Sequence, residues 1–237
     1  MQLGAQRLEN SGSVQSGQGL TLNTQGELRN IGMLASQGDL GLQGESLFNG
    51  GTVYSGGSQT LTANSNLTNE YGTLLAERGA TIKVNNGQLV NASGTVDAGS
   101  GDLNIYSPEV VNKRKILDVN EEGTGVIIPT SILVEANVGY QYDANHSSVL
   151  YTSIRYPQPI TKTYSGSKVS VGNYSEPSVL TARSGVSLFA LRVINQSSII
   201  SSGMDIHVDA EGVTNRSFIE GEVTETVVYK PSSDFQY

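Results

Sequence analysis

Apolar residues along this chain come in short pairs, two positions apart. Leu20/Leu22, Leu40/Leu42, Leu61/Ala63, Ile82/Val84, Leu103/Ile105, Val186/Leu188 and Ile206/Val208 are the examples. A spacing of two puts both side chains on one face of a β-strand. The residue between them then faces water, and it is polar or small each time: Thr21, Gly41, Thr62, Lys83, Asn104, Ser187 and His207. Apolar residues at spacings of three and four are not sustained anywhere, so the pattern predicts short strands and very little helix.

A second pattern sets the strands in order. An apolar residue, any residue and an asparagine occur together at Leu8-Glu9-Asn10, Leu28-Arg29-Asn30, Leu47-Phe48-Asn49, Leu67-Thr68-Asn69, Leu89-Val90-Asn91, Val110-Val111-Asn112, Val193-Ile194-Asn195 and Val213-Thr214-Asn215. First positions advance by 20, 19, 20, 22 and 21 residues, and after a long gap by 20 again. A period of about twenty residues marks a stack of similar coils. Each unit reads as two halves, for example Leu28 to Ser36 and Gln37 to Leu42. The fold expected is all-β: a right-handed parallel β-helix of about 20 residues per coil, each coil adding about 4.8 Å. Asn10, Asn30, Asn49, Asn69, Asn91, Asn112, Asn195 and Asn215 are expected to form a structural ladder, since a short amide at one corner can bond along the stack. The glycines that follow (Gly12, Gly32, Gly50, Gly72 and Gly94) are expected to supply positive-φ corners. None follows Asn195 or Asn215, so the last coils are expected to turn differently.

The period breaks once. Residues 113–178 carry no such unit, and sixty-six residues are too many for a structureless loop in a compact region. The chain therefore divides into coils over 1–112, a β-rich insertion outside the helix over 113–178, resumed coils over 179–230 and a tail over 231–237. Within the insertion, strands are expected at Val126–Ile128, Ser131–Tyr140 and Val149–Tyr156. A hairpin is expected from Thr161–Tyr164 to Lys168–Val171 across Ser165-Gly166-Ser167. Four of the six prolines and six of the eleven tyrosines lie in this stretch. It holds six acidic and six basic residues, so the formal net charge of −8 belongs to the coils. Tyrosine offers large contact area with few rotors to order, which suits a binding surface carried by a rigid scaffold. Tyr140, Tyr142, Tyr151, Arg155, Tyr156, Tyr164 and Tyr174 are the contact candidates. The competing reading packs these tyrosines against the flank of the rod.

Composition narrows the function classes. Hydrophobic residues make up 37% and charged residues 15%, with 28 glycines, no Trp and no Cys. That is lean for a globular core but suits narrow coils that bury an interior only against each other. The acidic balance argues against nucleic acid as a partner. No apolar run is long enough for a transmembrane helix, and no signal pattern opens the chain. Met1 leads straight into repeat-like sequence, as expected of an internal piece of a longer protein.

Leu8–Leu22, Leu28–Leu42 and Leu89–Ile105 match best a pattern of Leu-x-Asn-x-Gly-x-Leu/Val-x-Ser/Ala followed by Gly-x-Leu-x-Leu. This resembles the filamentous-haemagglutinin repeats of bacterial two-partner-secreted exoproteins, well over 1–112 and less closely over 179–217. The resemblance implies a β-helical filament on the surface of a Gram-negative bacterium, exported with the help of a secretion partner in the outer membrane. Adhesins, haemolysin-like proteins and contact-dependent growth inhibition exoproteins share it. The function expected is non-enzymatic recognition of an outer-membrane protein or surface glycan on a neighbouring cell. A plain shaft segment of an adhesin is the alternative.

Catalytic readings have little material. Asp205, His207 and Asp209 would sit on one strand face, but alternate positions lie about 7 Å apart, too far to share one ion. His146 reads as a turn residue. Asp118, Glu121 and Glu122 lie near Gly123 in an expected loop, a weak basis for a polysaccharide-degrading enzyme. Two histidines and no cysteine leave no nucleophilic triad. No metal or cofactor is expected. Lys113-Arg114-Lys115 is too short a basic run for nucleic acid, and is expected to pair with Glu109 or with neighbouring coils.

Overall fold

A computed structural model of the chain describes residues 1–123, 135–142, 148–155, 160–218 and 221–229, with side chains described over 1–121 and 169–218. Every regular element among the described residues is a strand. Two compact units result: Met1–Asp118 with Val171–Phe218, and Val119–Ser170 with Ile219–Tyr237.

The first unit is a parallel β-solenoid of about eight turns. Each turn has three strands rather than the two halves read from the sequence. Leu20–Thr24, Glu27–Asn30 and Met33–Ser36 make one such turn. Successive turns pair in register on all three faces. On the first, Leu20, Leu40, Gln59, Ala80, Leu103, Val186 and Ile206 stand in one column. On the second, Leu8, Leu28, Leu47, Leu67, Leu89, Val110, Val193 and Val213 do so. On the third, the column is Val14, Leu34, Val53, Leu74, Val96, Leu180 and Ile200. The inward pairs of the sequence pattern fill the middle of the stack: Leu20, Leu22, Ile82, Leu103 and Ile105 are fully buried. Among the described residues the last coil pairs with a neighbour on one side only. Ile206, Val208 and Val213 are therefore 50%, 38% and 60% exposed.

One corner carries a continuous amide ladder. Asn10 Nδ2 donates to Asn30 Oδ1 at 2.7 Å, and the same bond repeats through Asn49, Asn69, Asn91, Asn112, Asn195 and Asn215 at 2.8–2.9 Å. The second amide hydrogen closes the corner within its own coil. Asn30 gives it to Gly32 O at 3.2 Å, Asn91 to Gly94 O at 3.0 Å and Asn195 to Ser198 O at 2.9 Å. From Asn10 to Asn195 the amides are buried and their hydrogen bonds run along the stack, so each rung fixes both the height and the phase of the next coil.

The glycines at this corner act differently from expectation. None of Gly12, Gly32, Gly50, Gly72 and Gly94 has a positive φ. Where the corner has one extra residue, that residue takes the left-handed conformation instead: Tyr71, Ser93 and Ser197, with φ of 55°, 52° and 46°. The extra residue contributes to the longer steps of 22 and 21, together with longer turns between Ala80 and Leu89 and between Val96 and Leu103. The corner after Asn195 turns as the middle ones do, with Ser197 in the place of Ser93; the corner after Asn215 runs beyond the described residues. Gly32, Gly72 and Gly94 serve close approach. A Cβ on Gly32 would fall onto the carbonyl of Gly12, and one on Gly94 would come within 2.7 Å of Asn91 Oδ1.

The register also corrects the reading of the insertion. Ile160–Tyr174 is one strand with a bulge between Ser165 and Lys168, not a hairpin across Ser165-Gly166-Ser167. It pairs antiparallel with Gly221–Tyr229, placed among the resumed coils by the sequence pattern. Glu121 lies in a strand, Leu117–Gly123, which pairs with Ile160–Tyr174, and not in a loop. A separate antiparallel pair joins Glu135–Tyr142 to Ser148–Arg155. The expected strand at Val126–Ile128 and the tail lie outside the described residues.

Gln59 breaks the apolar column of the first face. It is 1% exposed between Leu40 and Ala80; its Nε2 reaches Val53 O at 3.4 Å and its Oε1 has no partner. A buried carbonyl without a hydrogen bond costs about 1–3 kcal/mol. Gln59→Leu should therefore raise stability by about 1–2 kcal/mol, read as a higher midpoint in urea unfolding. In the same assay Asn91→Ala, which strands the amides above and below it, should cost about 3 kcal/mol. The exposed terminal Asn215→Ala should cost about 1 kcal/mol or less. Equal effects at the two positions would mean that the ladder carries no stability.

Candidate functional site

The insertion leaves the solenoid at the asparagine corner, where loop length already varies. Two residues separate Asn30 from Met33, three separate Asn91 from Thr95, and residues 113–178 separate Asn112 from Val179. The coil itself is uninterrupted in space. Glu109–Lys113 pairs with Arg192–Gln196, Thr95–Asp97 pairs with Val179–Thr181, and Asn112 Nδ2 reaches Asn195 Oδ1 at 2.8 Å. Val179–Ala182 completes the third face of this coil.

Polar contacts clasp the outgoing and returning segments together. Ser178 Oγ donates to Lys113 O at 2.9 Å, and Ser175 N to Ile116 O at 3.0 Å. Ile116 N donates to Ser175 Oγ at 3.0 Å. Arg114 spans the junction: its Nε donates to Ser197 O at 3.0 Å and its Nη1 to Ser175 O. Arg114 thus serves backbone carbonyls. Lys115 pairs with Glu70 at 2.6 Å, whereas Glu109 pairs with Arg192 at 3.2 Å.

The tyrosine candidates separate. Tyr174 is 65% exposed, with the Arg114 guanidinium 5.3 Å from its ring centroid. Tyr140 and Tyr142 pair in register with Leu150 and Ser148, while Tyr151 and Arg155 pair with Gly139 and Glu135. These two sets occupy alternate positions of the strand pair. Tyr164 stands opposite Glu225 in the other antiparallel sheet. Tyr156 lies outside the described residues, as does His146.

Two features of the solenoid surface escaped the sequence reading. On the first face, Tyr106 and Phe189 stack at 4.8 Å with an interplanar angle of 5°; His207 tilts against Phe189 at 5.7 Å, and Lys83 Nζ lies 5.9 Å from the Tyr106 ring. Phe189 holds an outward strand position beside inward Leu188, which was the available signal. Around the next corner lies an open groove of about 420 Å³ lined by Asn66, Gly87, Gln88, Pro108, Glu109, Leu191 and Arg192. Leu191 is 58% exposed there.

Acidic and histidine side chains do not gather. Asp205, His207 and Asp209 are all exposed, and His207 leans on Phe189. Among the described residues no group of three or more His, Cys, Asp or Glu is placed to hold a metal ion, and no helix is long and apolar enough to cross a membrane.

The chain is similar to the deoxyribonuclease CdiA of Dickeya dadantii, 24% identical over 254 residues that cover 94% of this chain and 8% of that protein. It is also similar to the tRNA nuclease CdiA of Yersinia mollaretii, 25% identical over 253 residues, 95% of this chain and 8% of the relative. The chain thus spans about 8% of the length of each, and the similarity runs through solenoid and insertion alike. No family model and no solved structure matches.

Because Ile116 and Ser175 are already hydrogen-bonded neighbours, a two-residue Asn-Gly turn can join them. A chain so shortened, lacking 117–174, should keep its β-sheet circular dichroism and melt within about 5 °C of the full chain, since loop length adds little closure entropy. Loss of the cooperative transition would mean that the insertion is needed to build the coil.

Proposed function

We propose that this chain is a receptor-recognition segment of a cell-surface exoprotein of the contact-dependent growth inhibition type, in which the solenoid acts as a spacer and the insertion touches a neighbouring cell. The observation that carries the reading is the single large interruption of an otherwise register-true stack. Asn112 and Asn195 form a normal 2.8 Å rung although 83 positions separate them in the chain. A segment that can be left out of the stack without breaking it is free to take on another task. The similarity to two CdiA proteins over nearly the whole chain supports this class of exoprotein. The nuclease activities named for those relatives need catalytic groups that the solenoid does not gather, so the reading gives this segment no catalysis.

In this reading the contacts come from Tyr140, Tyr142, Tyr151, Arg155, Tyr156, Tyr164 and Tyr174. The partner is an outer-membrane protein or a surface glycan of the target cell. Export would use a secretion partner in the outer membrane, and the segment would stand at the surface of a Gram-negative cell. A shaft segment of a filamentous adhesin is the second reading, favoured by the unbroken amide ladder.

Fluorescently labelled chain should bind susceptible Gram-negative cells saturably in flow cytometry. The Ile116–Ser175 shortened form should lose at least about tenfold in affinity, a difference of about 1.4 kcal/mol. Equal binding by the two forms would sink the insertion reading. Absence of binding by both would favour the shaft.

A further inference from the structure

The corner groove belongs to the solenoid and not to the insertion, and its lining has a definite chemistry. Gln88, Glu109 and Arg192 stand in one register column on successive coils, with Asn66 accepting from Gln88 N at 3.1 Å on the coil before. Amide, amide, carboxylate and guanidinium thus follow one another at the strand spacing of about 4.8 Å. Pro108 and Leu191 supply apolar surface beside them. Most of the polar capacity is unspent. The Asn66 amide nitrogen and the Gln88 side-chain amide have no protein partner among the described residues. Arg192 uses only Nε toward Glu109 Oε1, and its side chain is 64% exposed. An exposed pair of this kind is weak and leaves both groups able to bond elsewhere.

From this lining we infer that the groove binds an uncharged oligosaccharide running along the solenoid axis. Amides and an Arg–carboxylate pair can donate to and accept from adjacent hydroxyls of a sugar ring. Pro108 and Leu191 offer an apolar face to its C–H surface. The groove's two full charges cancel, and the chain's net charge of −8 repels polyanions. A volume of about 420 Å³ lies in the range of ligand clefts. Other occupants fit less well. A peptide strand finds no free sheet edge here, because the coil backbones on both sides are paired with each other. A protein partner finds no aromatic anchor in the lining. The site is also held in shape beforehand: the Tyr106–Phe189 stack lies two residues before Pro108 and Leu191 and ties the same two coils together.

The test is a calorimetric titration of the full chain with neutral glucan, galactan and N-acetylhexosamine oligomers of two to six units, with uronate oligomers alongside. At least one neutral series should bind saturably, with affinity rising with length and then levelling. Gln88→Ala and Arg192→Ala should each weaken binding at least fivefold without moving the melting temperature, whereas Thr73→Ala on the third face should change nothing. The shortened chain lacking 117–174 should bind the same oligomers equally well, which separates this site from the insertion. No saturable binding in any neutral series, a preference for uronates, or affinities indifferent to Gln88 and Arg192 would overturn the inference.

Discussion

The structure depends on one hydrogen bond made seven times: an asparagine amide donating to the amide oxygen of the coil that follows. Apolar stripes alone would let a coil slide, because a column of leucines and valines is tolerant of small shifts. An amide has direction. Its oxygen must meet a donor from one neighbour and its nitrogen an acceptor on the other, and both lie inside the stack. A coil displaced in phase would leave both groups buried and unbonded, which is costly. The ladder therefore converts a loose hydrophobic column into a stack with one register, and the second amide hydrogen fixes the corner loop at the same time.

The same bond explains where variation is allowed. Left-handed Tyr71, Ser93 and Ser197 lengthen the corner by one residue while the rung beside it keeps its length. The insertion is the extreme case at the same place. Its ends return to hydrogen-bonding distance through Ile116, Ser175 and Ser178, so the coil carries no sign of what lies between them.

The solenoid was legible because its two signals are periodic. Alternation of Leu20, Thr21 and Leu22 displays the face, and the recurring asparagine displays the turn. The three-sided section was hidden because third-face strands such as Met33–Ser36 contribute one apolar column and follow the asparagine after only two residues, so they read as its continuation. The supposed hairpin at Ser165-Gly166-Ser167 shows the limit of local turn chemistry. Those residues look like a turn, but the partner strand is Gly221–Tyr229, more than fifty residues on, and its pairing turns the feature into a bulge. The groove and the aromatic stack were out of reach for a related reason. Tyr106 meets Phe189, and Glu109 meets Arg192, only once the coil is known to close across the insertion. Among the insertion's tyrosines, backbone register separates Tyr140 and Tyr142 from Tyr151, a distinction that composition cannot make.

The closed coil at Asn112 and Asn195 also has a mechanical meaning. Hydrogen bonds between coils run along the solenoid axis, so a pull on its two ends is passed from strand to strand. At the interruption the shortest path for that tension crosses from Glu109–Lys113 to Arg192–Gln196 and from Thr95–Asp97 to Val179–Thr181. The covalent chain from 117 to 174 lies off this path, although its strand Ile160–Tyr174 pairs with Gly221–Tyr229 further along the chain. A pull on the coils is therefore borne at this point by hydrogen bonds between strands, and the covalent length of the insertion adds nothing to that path.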